Sequence, residues 1–575
     1  MFRCGSFLRT SAAMATAAGA MTGTFVTDCC ATGDIRAERL AGLLLRSPVA
    51  NAGWSLDPAT ALPEKDTSAI AAYQRLRLAA SVNVPTPSKL PPGTLDTAAL
   101  SARDARLLMD ATQQLAQLTS TVTPASATHS LHVAVVWPDS MAAARVTKPL
   151  VASKTSAAST IQGGQYMVPD ALVAKSRFSP PEFILFFAAE AGDSIACAAP
   201  LALYLARAND VLSASQMNDA GTFASLHRPV IAQRVGGPAD AARLLVQQRA
   251  GVAARASGVT LHTLRQLARF VTQERQRGSF LCQQQLTQMH IADVVSSVYA
   301  LDATALFCLE ATVPAVAEGN AETEGALATA NAEDESAAAG LEASVLLHLV
   351  TLQTVHEARR NARRILGSRP HITDGPSGRV LPLSDLQVSL DAFADQWLAF
   401  QEDSQAVATA VFPRGQLTTP EPGAAARGGG GSPLTNLFIG KRKSASESFL
   451  AMSLHSSHVA SSAQLQADAR ELAGIISAAN AGVGTNFMSL CATTLTSELF
   501  ASLAALYRST ASLDGGVAAE PHREWLHAHC FCDASSQRRR RALTWMKATV
   551  DAMGKKGADA STGLPSMWTP QLKAK

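Results

Sequence analysis

Five side chains able to bind a metal or carry a proton fall within eleven residues near the end of the chain: His522, His527, His529, Cys530 and Cys532. Imidazole and thiolate suit zinc, and structural zinc sites assemble such ligands in closely spaced pairs. No second pair stands at that spacing, and on a helix His527, His529 and Cys530 point to different faces. The pattern therefore favours helix packing over a metal. Arg538, Arg539, Arg540 and Arg541 follow in a row. Such a run can meet anionic lipid or an acidic partner, at about 1 kcal/mol per residue near a membrane surface. Its composition favours a solvated helix end.

The elements that must hold these groups are mostly helical. The clearest period lies in residues 244–293. Val252, Ala256, Val259, Leu264, Leu267 and Val271 recur at spacings of three to five and make one apolar face. Gly278 marks a turn, after which Leu281, Gln285, Gln288, Ile291 and Ala292 open a second helix. Residues 28–130 carry helical signals at 69–78 and 97–118 around a Pro-rich break at 84–93. LHVAVVW at 131–137 and FILFFAA at 183–189 read as buried strands, and QYMV at 165–168 as a short one. Helical patterning returns over 240–412. Within it, residues 311–343, acidic and rich in Ala and Gly, read as a solvated inserted loop. PRGQLTTPEPGAAARGGGGSP lies in a flexible linker, 413–447, which also holds the basic KRK at 441–443. The expected division is 28–130 helical, 131–238 β, 239–412 helical, and 448–575 a helical extension separable from the core.

Composition sets limits on function. The 575 residues are 47% hydrophobic and 17% charged, which fits a globular chain of several domains. A net charge of +3 is too small to argue for a nucleic-acid partner. No unbroken apolar run of about 18 residues exists, so no transmembrane helix is expected. Residues 1–27 carry Arg3 and Arg9, many Ser, Thr and Ala, and no acid before Asp28. That composition predicts a mitochondrial transit peptide. The nine cysteines are irregularly spaced, which argues against a disulfide framework.

Without a gap, residues 244–293 resemble the opening of the C-terminal helical domain of the acyl-CoA dehydrogenases. Arg249, Gly251, Ala253, Ala254, Gly258, Arg275, Gly278, Leu281, Gln285, Gln288, Ala292 and Asp293 fall on family positions, while Phe270 and Arg277 replace a tyrosine and a phenylalanine. ELFASLAALYRSTASL at 498–513 and HREWLHAHCFCDA at 522–534 are similar to the extra helix pair of the family's very-long-chain branch, which includes a complex I assembly factor. The resemblance implies an α+β chain of acyl-CoA dehydrogenase fold: N-terminal helical domain, middle β-domain, C-terminal four-helix domain and a second helical extension.

It also implies a site. The family removes a proton alpha to a thioester carbonyl with a carboxylate base and passes the beta hydride to FAD. Residues 361–391 align with the family's base-bearing segment and put Asp391 where the glutamate belongs. Aspartate is one carbon shorter, about 1.5 Å of lost reach, and a misplacement near 1 Å can cost about 100-fold in rate. A second register puts Phe393 there and leaves no acid. On the flavin side Ser176 keeps a hydroxyl, but Ala174 replaces the stacking tryptophan. Only Pro138 survives of the flavin loop, which reads VWPDSMAA at 136–143. Arg275 and Gln285 remain at dinucleotide positions. Arg364 replaces a glutamine, Gly367 is kept, and Ser368 replaces a second glycine.

Two function classes follow from the resemblance. One is a catalytically degenerate mitochondrial homodimer, its FAD partly or wholly lost. It would act as a scaffold or complex I assembly factor with peripheral inner-membrane contact. The other is an active FAD-dependent flavoprotein of fatty-acid β-oxidation, oxidising long-chain acyl-CoA to trans-2-enoyl-CoA.

Overall fold

The computed structural model describes residues 32–46, 67–82, 102–118, 133–136, 151–155, 158–162, 164–168, 181–190, 201–217, 223–311, 325–367, 371–374, 379–382, 454–479, 486–515 and 521–556. Three helices come first: α1 (Gly33–Arg46), α2 (Thr67–Val82) and α3 (Ala102–Leu118). A mixed sheet follows, from β1 (Val133–Val136), β2 (Val151–Thr155), β3 (Ala158–Gln162), β5 (Phe183–Glu190), β6 (Leu201–Arg207) and β9 (Val230–Gly236). The short strands β4 (Gln165–Met167), β7 (Ser215–Met217) and β8 (Phe223–Leu226) form a second sheet, and α4 (Ala208–Ala214) sits between β6 and β7.

The larger sheet closes on itself. One edge of β5 pairs with β6, and the other pairs with β1 at residues 183–186 and with β2 at 189–190. β2, β3, β9 and β6 then complete the ring by antiparallel pairing. Side chains alternate across a strand, and both faces here are apolar. Ala134, Val136, Ile184, Phe186, Ala188, Tyr204 and Ala206 pack together on one face. Val133, Val135, Phe183, Leu185, Phe187, Leu203 and Leu205 pack on the other, with Leu108 and Leu115 of α3. Burial on both faces is why the β5 sequence is a continuous apolar run rather than an alternating one.

The rest is helical: α5 (Pro238–Gln273), α6 (Gln285–Ala311), α7 (Gly325–Leu366), α8 (Val459–Ala479), α9 (Asn486–Gly515) and α10 (Pro521–Lys556). Hairpins β10–β11 (Arg275–Gln276, Ser279–Phe280) and β12–β13 (His371–Asp374, Arg379–Pro382) follow α5 and α7. α5 opens with Pro238 in its first turn, a position with no amide bond to lose, and the Asp240 carboxylate accepts the Gly237 N–H at 3.1 Å. Gly258 lets α2 approach: a Cβ there would lie 2.4 Å from the Arg77 carbonyl oxygen and 2.6 Å from the Ala80 Cβ. That close crossing delivers Tyr73 and Arg77 to Asp302 of α6, at 2.5 and 3.2 Å, while Arg77 also donates to Ser257 at 3.1 Å. Asp302 is wholly buried, and an isolated charge there is costly unless paired.

Helices, sheet, helices and further helices is the α+β order expected. Three expectations need correction. Residues 325–343, expected in a solvated loop, form the first half of α7; Ala-rich sequence of low complexity is also sequence of high helix propensity. The extension is not separable. Leu495, Leu499 and Phe500 of α9 and Trp525, Leu526 and Phe531 of α10 share one continuous core with α1, α5, α6 and α7. A linker's composition reports its own flexibility, not the independence of the helices after it. Finally, Gln285–Glu310 is long and apolar enough to cross a membrane. Scattered polar residues hid it from a search for unbroken apolar runs. It is the buried central helix of the core, packed against α1, α5, α7, α9 and α10.

Candidate functional site

α5, α6 and α7 run up, down and up, so the end of α5, the start of α6 and the end of α7 lie at one end of the bundle. α5 stops at Gln273, and Glu274 donates its N–H to the Phe270 carbonyl at 2.9 Å. The chain then turns through β10–β11, where Arg275 faces Phe280 and Gln276 faces Ser279. The two-residue loop, Arg277 (φ 55°) and Gly278 (φ 85°), is left-handed at both positions, as a type I′ hairpin turn requires. The Leu281 N–H donates to the Glu274 carbonyl at 2.9 Å and ties the hairpin back to the helix end. A 3₁₀ turn, Leu281–Gln283, leads into α6; Gln288 Nε2 donates to the Cys282 carbonyl at 2.8 Å and fixes that entry. α7 ends on Gly367 (φ 62°), whose N–H donates to the Arg363 carbonyl at 2.9 Å, a left-handed helix cap.

This end gathers four residues expected from the resemblance. Arg275 is exposed, with its guanidinium 4.3 Å from the centre of the Phe280 ring. Gln285 is the first residue of α6 and is exposed. Arg364 lies in the last turn of α7 and Gly367 follows it, both exposed. With Arg277 and Arg363 they present cationic and amide groups suited to an anion such as the diphosphate of a dinucleotide. Behind them, burial holds His290 below the usual imidazole range, helped by Arg364 and Arg360 and opposed by Asn361. Burial and the nearby Glu357 push Asp293 up to about 6, against the pull of Arg538, Arg360 and Arg364. Arg364 therefore faces inward groups of α6 as well as solvent.

The other expected residues are not brought into this picture. Asp391, the expected base, and Ser176 lie outside the described residues, as do Pro138, Ala174 and Ser368.

The histidine and cysteine cluster disperses. His527 stacks flat on Tyr299, with ring centres 5.2 Å apart. His529 faces the other way and meets His458, Nε2 to Nδ1 at 2.9 Å. Cys530 and Cys532 are buried free thiols, held above the usual range by burial. Among the described residues no three His, Cys, Asp or Glu side chains converge to hold a metal.

The arginine run lies inside α10 rather than at its end, and half of it points inward. Arg538 meets Glu498 of α9 at 2.6 and 3.0 Å. Arg539 is 1% exposed and donates to Asp468 of α8 at 2.7 Å, and to Ser502 and Ser535 at 3.0 and 2.6 Å. Only Arg540 and Arg541 face solvent. Consecutive residues on a helix turn through about 100° each, so four in a row cannot all be solvated on a packed helix. The expectation of a uniformly available basic run is corrected accordingly.

Sequence reasoning missed the pairings by which buried polar groups join distant segments: Tyr73 and Arg77 with Asp302; Arg249, which donates to Ser344 at 2.5 Å and is drawn down to about 10 by burial; and Arg508, whose guanidinium lies 4.5 Å from the centre of the Tyr299 ring.

No family model matches the sequence, and no curated protein is significantly similar to it. Several solved structures are similar in fold. An acyl-CoA dehydrogenase of Bacillus anthracis complexed with FAD is 10% identical with a TM-score of 0.47, over 75% of this chain and 72% of that one. Caenorhabditis elegans ACDH-11 in complex with C11-CoA is 12% identical with a TM-score of 0.40, over 80% and 78%. The ChsE4–ChsE5 complex of Mycobacterium tuberculosis is 13% identical with a TM-score of 0.33, over 67% and 98%.

Proposed function

We propose that this chain is an acyl-CoA dehydrogenase-like protein whose catalytic site has degenerated and which serves as a scaffold or assembly factor. The observation that carries this reading is which residues of the resemblance persist and what they do. Arg249, Gly251, Ala253, Ala254, Gly258, Leu281 and Ala292 are all buried and act in helix packing. Gly278 acts in a turn. The positions that would touch a flavin ring or a thioester carry replaced residues instead: Ala174 for the stacking ring and Asp391 for the longer glutamate. Packing can be retained for a surface while chemistry is lost.

FAD, when bound, supplies the acceptor for the hydride leaving the beta carbon. The exposed end of the α5–α6–α7 bundle fits its diphosphate: Arg275 and Arg364 would offer charge, and Gln285 an amide. That fit favours the second reading, an active dehydrogenase of long-chain acyl-CoA, in which Asp391 would hold the proton taken from the alpha carbon. The proposed setting is mitochondrial, as a homodimer near respiratory complex I. Any contact with the inner-membrane surface would rest on Arg540 and Arg541.

The absorbance spectrum of the purified protein tests the choice. Substoichiometric flavin, with no long-chain acyl-CoA turnover, is expected. A full complement of flavin after gel filtration, with turnover abolished by Asp391→Asn at unchanged thermal stability, would establish the active reading in its place.

A further inference from the structure

We propose that the His458–His529 pair is an acid-sensitive latch that fastens α1 and the start of α8 to α10. The pair lies where three distant segments meet. His529 belongs to α10, His458 closes the 3₁₀ turn Ser456–His458 that opens α8, and Arg36 arrives from α1.

The hydrogen-bond chemistry fixes the protons. Arg36 can only donate, and its Nη1 lies 3.4 Å from His529 Nδ1, so Nδ1 is the acceptor. The His529 proton then sits on Nε2 and is given to His458 Nδ1 at 2.9 Å. His458 in turn carries its proton on Nε2, which is buried and has no hydrogen-bond partner among the described residues. Trp525 stacks on His529 with ring centres 4.0 Å apart, and Ser461 Oγ lies 3.3 Å from Nδ1. Both rings must be neutral for this arrangement. A proton added to either would place a second cation beside Arg36 in a site closed to water, and would turn an accepting nitrogen into a donor facing a donor.

The charged surroundings offer little relief. Arg36 and His458 face His529, and His455 faces His458, its ring centre 6.1 Å away. Arg39 faces His522, which stacks on Trp525 with ring centres 6.2 Å apart. The carboxylate at the junction, Asp533, is already engaged by Arg36 at 2.9 Å, with Asp34 beside it. Burial holds His529 well below the imidazole range and His458 down to about 3.

The sign follows from linkage. A histidine depressed in the folded state stabilises fully above its unfolded pKa, near 6.5, and loses that contribution as pH falls toward the folded value. Asp533 is raised by burial, so acid favours its folded form and acts in the opposite direction. Opening of the latch should therefore become about tenfold more favourable for each pH unit below about 6 for each proton taken up.

The experiment is pulsed hydrogen exchange on the full chain between about pH 7 and pH 5, corrected for intrinsic exchange rates. Amides of residues 36–46 and 458–465 should lose protection at least tenfold, while those of α5 and α6 keep theirs. His529→Gln should flatten the pH dependence of these two segments, because glutamine accepts and donates without titrating. Should that variant fail to fold, His458→Asn reads the same effect from the other partner. Unchanged protection of residues 36–46 in acid would overturn the proposal. So would loss of protection in step with α5 and α6, or an unaltered pH dependence in a folded variant.

Discussion

Replacing Gly258 with alanine sets two physical effects against each other. In a helix interior, glycine to alanine stabilises by about 1 kcal/mol through propensity alone. Here the added Cβ would lie 2.4 Å from the Arg77 carbonyl oxygen and 2.6 Å from the Ala80 Cβ. Neither atom is the end of a flexible side chain, so α2 must withdraw from α5 by about 1 Å to restore ordinary contact distances. Overpacking of that kind costs about 1–3 kcal/mol. The withdrawal also draws Tyr73 and Arg77 away from Asp302, which they meet at 2.5 and 3.2 Å. Fully stranding a buried charge costs about 3–5 kcal/mol, and a partial stretch costs a fraction of that. The expected net effect of Gly258→Ala is a loss of about 2–4 kcal/mol, and more for Gly258→Val. Urea denaturation followed by far-ultraviolet circular dichroism measures it, with exchange at residues 70–81 reporting whether α2 loosens first. An alanine variant as stable as the parent, or more stable, would refute the claim that the α2–α5 crossing is limited by this glycine.

Three further outcomes are expected. Arg277→Asn should raise stability by up to about 1 kcal/mol in the same denaturation assay, because a non-glycine residue other than Asn or Asp is strained in the left-handed conformation. Arg539→Met should cost about 3–5 kcal/mol by stranding Asp468, whereas Arg540→Ala and Arg541→Ala should each change stability by less than about 0.5 kcal/mol; equal costs across the run would contradict its division between core and solvent. Asp293 is raised to about 6, so in the folded chain its ionised form is disfavoured. Asp293→Asn should therefore stabilise at pH 8 by an amount on the order of 1–3 kcal/mol. That gain should fade as pH falls below about 6, where Asp293 is protonated, and a pH-independent gain would exclude titration as its source.

The parts of the fold legible in the sequence are those whose signal is local. The apolar faces of α5 and α6 repeat at helical spacing, and β5 is apolar from Phe183 to Ala189 because both faces of its sheet are covered. β2, β3 and β9 were not legible. Their Ala, Ser, Thr and Gln residues resemble loop composition, and their pairing depends on closure of the sheet. The turn at Gly278 was legible, but not the hairpin, because arginine is not a residue that type I′ turns select. The buried ion pairs were least legible of all. Arg77 and Ser257 are 180 residues apart, and Tyr73 and Asp302 are 229. Nothing near Arg539 in the sequence says that Asp468 waits for it. Of the candidate site, Arg275, Gln285, Arg364 and Gly367 came together because three successive antiparallel helices oblige them to.

The position of α6 constrains how the chain can be made. Its apolar surface is covered by α1 from the beginning of the chain and by α9 and α10 from its end. When residue 311 leaves the ribosome, α10 is still more than two hundred residues from completion. At about 5–20 residues per second the interval is roughly 12–50 s. At its start this long apolar helix has α1 and α5 to pack on, while α7, α9 and α10 are still to be made. Until α10 emerges, part of the apolar surface of α6 is left for other chains, or a lipid bilayer, to compete for.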